Sequence, residues 1–84
     1  MTRDDLIQQL KPIVSIYAQS PEALENLNEK TDFISDLKVN SANLVDIILD
    51  IEESFDIIID NESMERMLNV EAALDVIQEK LKRK

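Results

Sequence analysis

The chain contains no cysteine, no histidine, no glycine and no tryptophan, and only two prolines. Without cysteine there is no disulfide framework, no thiolate nucleophile and no sulfur-based zinc site. Without histidine the usual general base and the commonest imidazole metal ligand are missing. The lack of glycine excludes Gly-rich phosphate loops and an EF-hand calcium loop of the usual kind. Long apolar runs are absent too, so no stretch is expected to span a bilayer. Met1-Thr2-Arg3-Asp4-Asp5 leads straight into an amphipathic pattern with no apolar signal-peptide core, which makes a cytoplasmic location the default expectation. The residue types that remain predict a protein with no metal site and no catalytic activity of its own.

What is present is acid and aliphatic side chain. The 84 residues suffice for one small domain, expected to cover 1–84, with no room for a second core. Nine Lys and Arg face 18 Asp and Glu, for a net charge of −9. Such a surface repels nucleic-acid phosphates and anionic lipid, and attracts proteins with basic docking patches. Self-repulsion in so small a domain predicts low stability at low ionic strength, so the melting temperature should rise with added salt or divalent cation. A melting temperature flat or falling across a salt series would contradict this. A hydrophobic fraction of 44% still exceeds what a disordered chain would carry. A monomer is the default expectation.

Helical periodicity marks three stretches. Leu6, Leu10, Ile13 and Tyr17, with Ile7 and Val14 beside them, share the face of a first helix, which Pro12 should kink without ending it. Ala18 to Asn40 reads as a long connection that is either functional or carries short helical turns, anchored by Phe33, Ile34 and Leu37. Asn40 then caps a second helix whose buried face is read as Val45, Ile47, Ile48, Ile51 and Phe55. After an extended Ile57-Ile58-Ile59 run, Asp60 caps a short helix around 62–67. Asn69 caps a last one whose buried face is Val70, Ala73, Leu74, Ile77 and Leu81. The expected fold is all-α, a bundle of three principal helices plus one short helix.

The second helix carries an unusual arrangement. Asn43, Asp46, Asp50 and Glu53 recur at spacings of three, four and three, and Glu52 and Asp56 widen the stripe. Acid near a helix C-terminus opposes the macrodipole, so helix stability does not explain it, and docking of a basic partner does. The stripe leads away from Ser41, the residue directly after the cap, where free backbone N–H groups favour a bound or attached phosphate.

Four segments, in order and without insertions between them, carry a resemblance to a known family. They are Thr31-Asp32-Phe33-Ile34-Ser35-Asp36-Leu37, Leu44-Val45-Asp46 through Glu52-Glu53-Ser54-Phe55-Asp56, Ile59-Asp60-Asn61-Glu62, and Asn69-Val70-Glu71-Ala72-Ala73-Leu74. Over most of its length the chain resembles the acyl carrier proteins. The resemblance implies that Ser41 is the attachment point for 4′-phosphopantetheine, placed there from coenzyme A by a phosphopantetheinyl transferase. The arm's thiol would then hold acyl groups as thioesters, in fatty-acid-like or polyketide-like biosynthesis. Asn43, Asp46, Asp50, Glu52, Glu53 and Asp56 become the docking face for the basic patches of acyl-loading and acyl-processing enzymes. Phe33, Ile48, Ile51, Ile59, Met64, Met67, Ala73 and Leu74 are core positions, some of which would line an expandable acyl pocket.

The family's usual Asp-Ser-Leu triplet is Asn40-Ser41-Ala42 here, and Lys38 stands where glycine is common. These departures point to a dedicated pathway with its own partners. A D-alanyl or peptidyl carrier would use the same serine, and an unmodified acidic interaction module would use only the fold.

Overall fold

In the computed structural model, which describes residues 2–83, the chain is all-helical. Its elements are α1 (Arg3–Ser15), α2 (Pro21–Glu25), α3 (Ser41–Phe55), α4 (Asn61–Arg66) and α5 (Val70–Lys82). The three long helices stand where the periodicity predicts them. Helix α1 packs on α3, α5 and α2, and α4 on α5. The connection after α1 contains a short helix, α2, with Ser20 as its cap and Pro21 in the first turn, where a missing N–H costs nothing. No helix among the described residues is long and apolar enough to cross a membrane.

Each helix begins on a side-chain cap. Asn40, Asp60 and Asn69 accept from the N–H groups of Ala42, Ser63 and Ala72, as their residue types predict. Thr2 adds a reciprocal pair with Asp5 at the start of α1, a capping box that uses aspartate in place of glutamate. Pro12 lies inside α1, which continues past it to Ser15. Tyr17 falls outside the helix it was expected to extend. It is half-buried, and its phenol donates to Asp50 on α3 at 3.3 Å.

One apolar cluster fills the interior, including Leu6, Leu10, Val14, Phe33, Leu37, Ile47, Ile51, Val70, Leu74 and Ile77. Two expected core members are exposed instead. Val45 is 46% exposed, because the buried stripe of α3 runs through Leu44, Ile47, Ile48, Ile51 and Phe55 and leaves position 45 on the outer side. Ile34 is 37% exposed. The side chain of Asp32 accepts from the N–H groups of Ile34 and Ser35, turning the chain so that Phe33 enters the core and Ile34 does not.

Backbone bonds hold the long connection in place. Phe33 N–H donates to Leu68 at 3.2 Å, Val70 N–H to Thr31 at 2.9 Å and Glu71 N–H to Glu29 at 3.0 Å, clamping 29–33 against the α4–α5 junction. Arg3 adds ion pairs to Glu29, at 2.8 Å, and to Asp75, tying the start of α1 to the loop and to α5.

Asp60 does more than cap α4. Lys80 of α5 donates to it at 2.8 Å and Ser63 Oγ at 2.8 Å, and these bonds hold its carboxyl well below the usual carboxylate range. A depressed folded value means stability that is fully present above about pH 4, where the unfolded residue titrates, and that is lost as pH falls toward the folded value. Lys80→Met should therefore flatten the rise of stability with pH on the acid side of about pH 4. Urea unfolding of both proteins across that range checks this, and parallel curves would refute it.

Candidate functional site

Ser41 is the first residue of α3, and it is exposed. Its cap, Asn40, uses its side-chain oxygen on Ala42 N–H at 2.9 Å. The serine hydroxyl takes part in no hydrogen bond among the described residues. A hydroxyl oxygen is thus presented to solvent at the positive end of a 15-residue helix, whose Ala42 and Asn43 N–H groups are taken by Asn40.

The approach to Ser41 is built by the clamped loop. Val39 is buried, and its N–H donates to Phe33 at 3.0 Å, so the chain reaches α3 along a path fixed by the core. Between them Lys38 adopts φ 59°, in the left-handed region, although it is not glycine. That conformation costs an L-residue about 1–2 kcal/mol, partly offset by glycine's larger unfolded-state entropy. Lys38→Gly should therefore stabilise the fold by about 1 kcal/mol. An unfolding midpoint that does not move, or falls, would show the turn to be unstrained.

The acidic residues divide by what they touch. Asp46, Glu53 and Asp56 are exposed, and Asn43, Asp50 and Glu52 are half-buried. Asp50 accepts from the Tyr17 phenol, whose own ionisation is pushed up by burial and by Asp50 and Asp46. Glu52 accepts the Ile59 N–H at 2.7 Å and so fastens the segment after α3. Asp56 ends the helix in the left-handed conformation, φ 54°, a position glycine often fills. Asp50 and Glu52 thus hold groups of the fold as well as bordering the face.

The outer face also carries apolar side chains, among them Val45, which the sequence reading assigns to the buried face. Val45 and Leu49, four residues apart on α3, are 46% and 52% exposed. Ile16, 73% exposed at the end of α1, borders a depression with Asp50 and Glu53. The face leading from Ser41 is therefore an apolar ridge set among carboxylates. The five-membered stripe 44, 47, 48, 51, 55 was the available signal, since it excludes both 45 and 49.

Of the eight acyl-pocket candidates, Phe33, Ile48, Ile51, Ile59, Met67, Ala73 and Leu74 are buried together, and Met64 is half-buried against them.

The chain is 31% identical over 81 residues to an acyl carrier protein from Petrotoga mobilis, spanning 96% of this chain and 93% of that one. It is 32% identical over 72 residues to one from Desulforapulum autotrophicum, spanning 86% and 92%. The chain belongs to the acyl carrier protein family. The solved structure of an acyl carrier protein from Enterococcus faecalis has the same fold, with a TM-score of 0.74 at 25% identity, over 95% of this chain and 99% of that one. No family model matches the sequence. As a member of the acyl carrier protein family, the chain keeps its all-helical frame without a single glycine.

Proposed function

We propose that the chain carries acyl groups as thioesters on a 4′-phosphopantetheine arm attached to Ser41, in fatty-acid-like or polyketide-like biosynthesis. The observation that carries this reading is the exposed, unengaged hydroxyl at the first residue of α3. The residues around it suit the group. Asn40 and Ala42 are exposed and leave the hydroxyl open, and the positive end of the helix dipole favours a phosphodiester there. Bound, the arm supplies the thiol that the sequence lacks. The transferase supplies the base that removes the Ser41 proton, so the missing histidine is no obstacle.

The face around Val45 and Leu49, with Asp46, Glu53 and Asp56 outermost, is the docking surface for basic patches on the transferase and on acyl-processing enzymes. Asn43, Asp50 and Glu52 border it. An acyl chain would shelter between α3, α4 and α5, where Met64 and Met67 are the adaptable side chains. In this role the protein is a substrate-bearing partner of enzymes and not a catalyst.

The test is the intact mass before and after incubation with coenzyme A and a broad-specificity phosphopantetheinyl transferase. A gain of one phosphopantetheine unit supports the reading. No gain would favour an unmodified acidic interaction module.

A further inference from the structure

Between α2 and the turn that precedes α3 lies an open depression of about 560 Å³. Ala23 is the only aliphatic residue that lines it; the others are polar or charged. No residue of α2 is fully buried, so this wall is not drawn into the core. Gln19 N–H donates to the Leu37 carbonyl at 2.8 Å and stitches the start of one wall to the other. Thr31 lines the depression too, yet it is only 6% exposed. Its hydroxyl oxygen accepts from Asn28 N–H at 3.0 Å, while its proton is donated to no group among the described residues. A buried donor without an acceptor is costly, and a ligand carbonyl would satisfy it.

The part of the lining that leads to Ser41 carries a free cation. Lys38 is exposed and takes part in no ion pair or hydrogen bond among the described residues. Across residues 37–45 it is the single charged side chain, in a protein of net charge −9. Val39 is buried between Lys38 and Asn40, which are both exposed, so the chain passes along the surface from the depression to Ser41. Those three residue steps span at most about 11 Å. Ser35, on the same turn, adds a hydroxyl that bonds to nothing among the described residues.

We propose that this depression is the resting place of the arm attached to Ser41, with Lys38 pairing with the phosphodiester and Thr31 donating to an amide carbonyl of the pantetheine part. The proposal rests on the carrier reading above. Pantetheine is a polar chain of two amides and a hydroxyl, which matches a lining of hydroxyl, amide and charged groups. Lys38 supplies a cation for its one fixed negative charge. Glu22 and Asp36, which also line the depression, are acceptors for its N–H and hydroxyl groups. The tether holds the arm at an effective concentration of about millimolar, so weak contacts suffice. An aliphatic acyl chain finds no such match there, which makes the depression a place for the arm with its thiol free and not for a fatty cargo.

The test is the amide NMR spectrum before and after loading with coenzyme A and a broad-specificity transferase, on wild type, Thr31→Val, Ser35→Ala and Lys38→Gln, with loading confirmed by mass. On wild type the signals of Ala23, Thr31, Ser35 and Lys38 should shift together with those of 40–43, and protons of the arm should give NOEs to that lining. Thr31→Val and Lys38→Gln should each lower the ratio of docked to free arm by about fivefold, the worth of one hydrogen bond, and shrink the shift changes at 23–35 accordingly. Thr31→Val also removes the acceptor of Asn28 N–H; if it does not fold, Lys38→Gln and Ser35→Ala, both at exposed positions, decide alone. Shift changes confined to 40–43, or spread over α4 and α5 instead, would overturn the proposal and leave the carrier reading standing. Changes of wild-type size in the variants would overturn it as well. No mass gain on wild type would overturn both.

Discussion

Ser41→Ala should abolish loading of the arm, with no mass gain after incubation with coenzyme A and transferase under conditions that convert the wild type fully. The substitution removes one oxygen that makes no hydrogen bond among the described residues. Asn40, which caps α3 through Ala42 N–H, is untouched, and alanine is favourable inside a helix. The unfolding midpoint should therefore stay within about 0.5 kcal/mol of wild type, the range of surface substitutions. The loss should be complete because no other serine among the described residues stands at the first residue of a long helix. Ser35 lies in the Asp32 turn, and Ser63 is buried with its hydroxyl donating to Asp60. Residual mass gain on the alanine variant would place the attachment elsewhere. Loss of helical circular dichroism would make Ser41 structural.

The largest effect on stability is expected at Phe33. Its side chain is 1% exposed in the centre of the core, and its backbone joins the loop to both Leu68 and Val39. Phe33→Ala should cost about 3–5 kcal/mol, from lost transfer energy and the cavity left behind. A domain of 84 residues has on the order of 4–12 kcal/mol in all. The variant should thus be partly unfolded at low ionic strength, and loading of Ser41 should slow, since Val39 N–H bonds to the Phe33 carbonyl on the path to α3. Ile34→Ala, one residue away and exposed, is the control and should cost under about 1 kcal/mol. Equal losses at the two positions in urea unfolding would contradict the assignment of Phe33 as the inward anchor of the Asp32 turn.

The two variants probe different links between sequence and site. The place of Ser41 at the start of α3 was legible from the chain alone: an Asn cap, a serine and an acidic amphipathic run are local features, and local rules govern helix starts. Phe33 was legible as apolar, but not as the one inward residue of the pair Phe33-Ile34. That choice is made by the Asp32 side chain accepting two backbone N–H groups and by the clamp onto Leu68, 35 positions along the chain. The roles of Glu52 and Asp50 are of the same kind. Both read as docking carboxylates, and each turned out to bond a group brought near by the fold, the Ile59 N–H and the Tyr17 phenol.

By itself, the sequence determined the helical class, the three long helices, the caps at Asn40, Asp60 and Asn69, and the exclusion of sulfur and imidazole chemistry. Each follows from residue type at short spacing, where 3.6-residue periodicity and capping chemistry act without help from distant parts. Only the tertiary structure decided that Val45 and Leu49 face outward beside Ser41, that Lys38 takes a left-handed turn, and that the buried Thr31 lines a polar depression. Those outcomes depend on which side of each helix finds a partner across the core, and the balance is struck by packing between elements far apart in the chain.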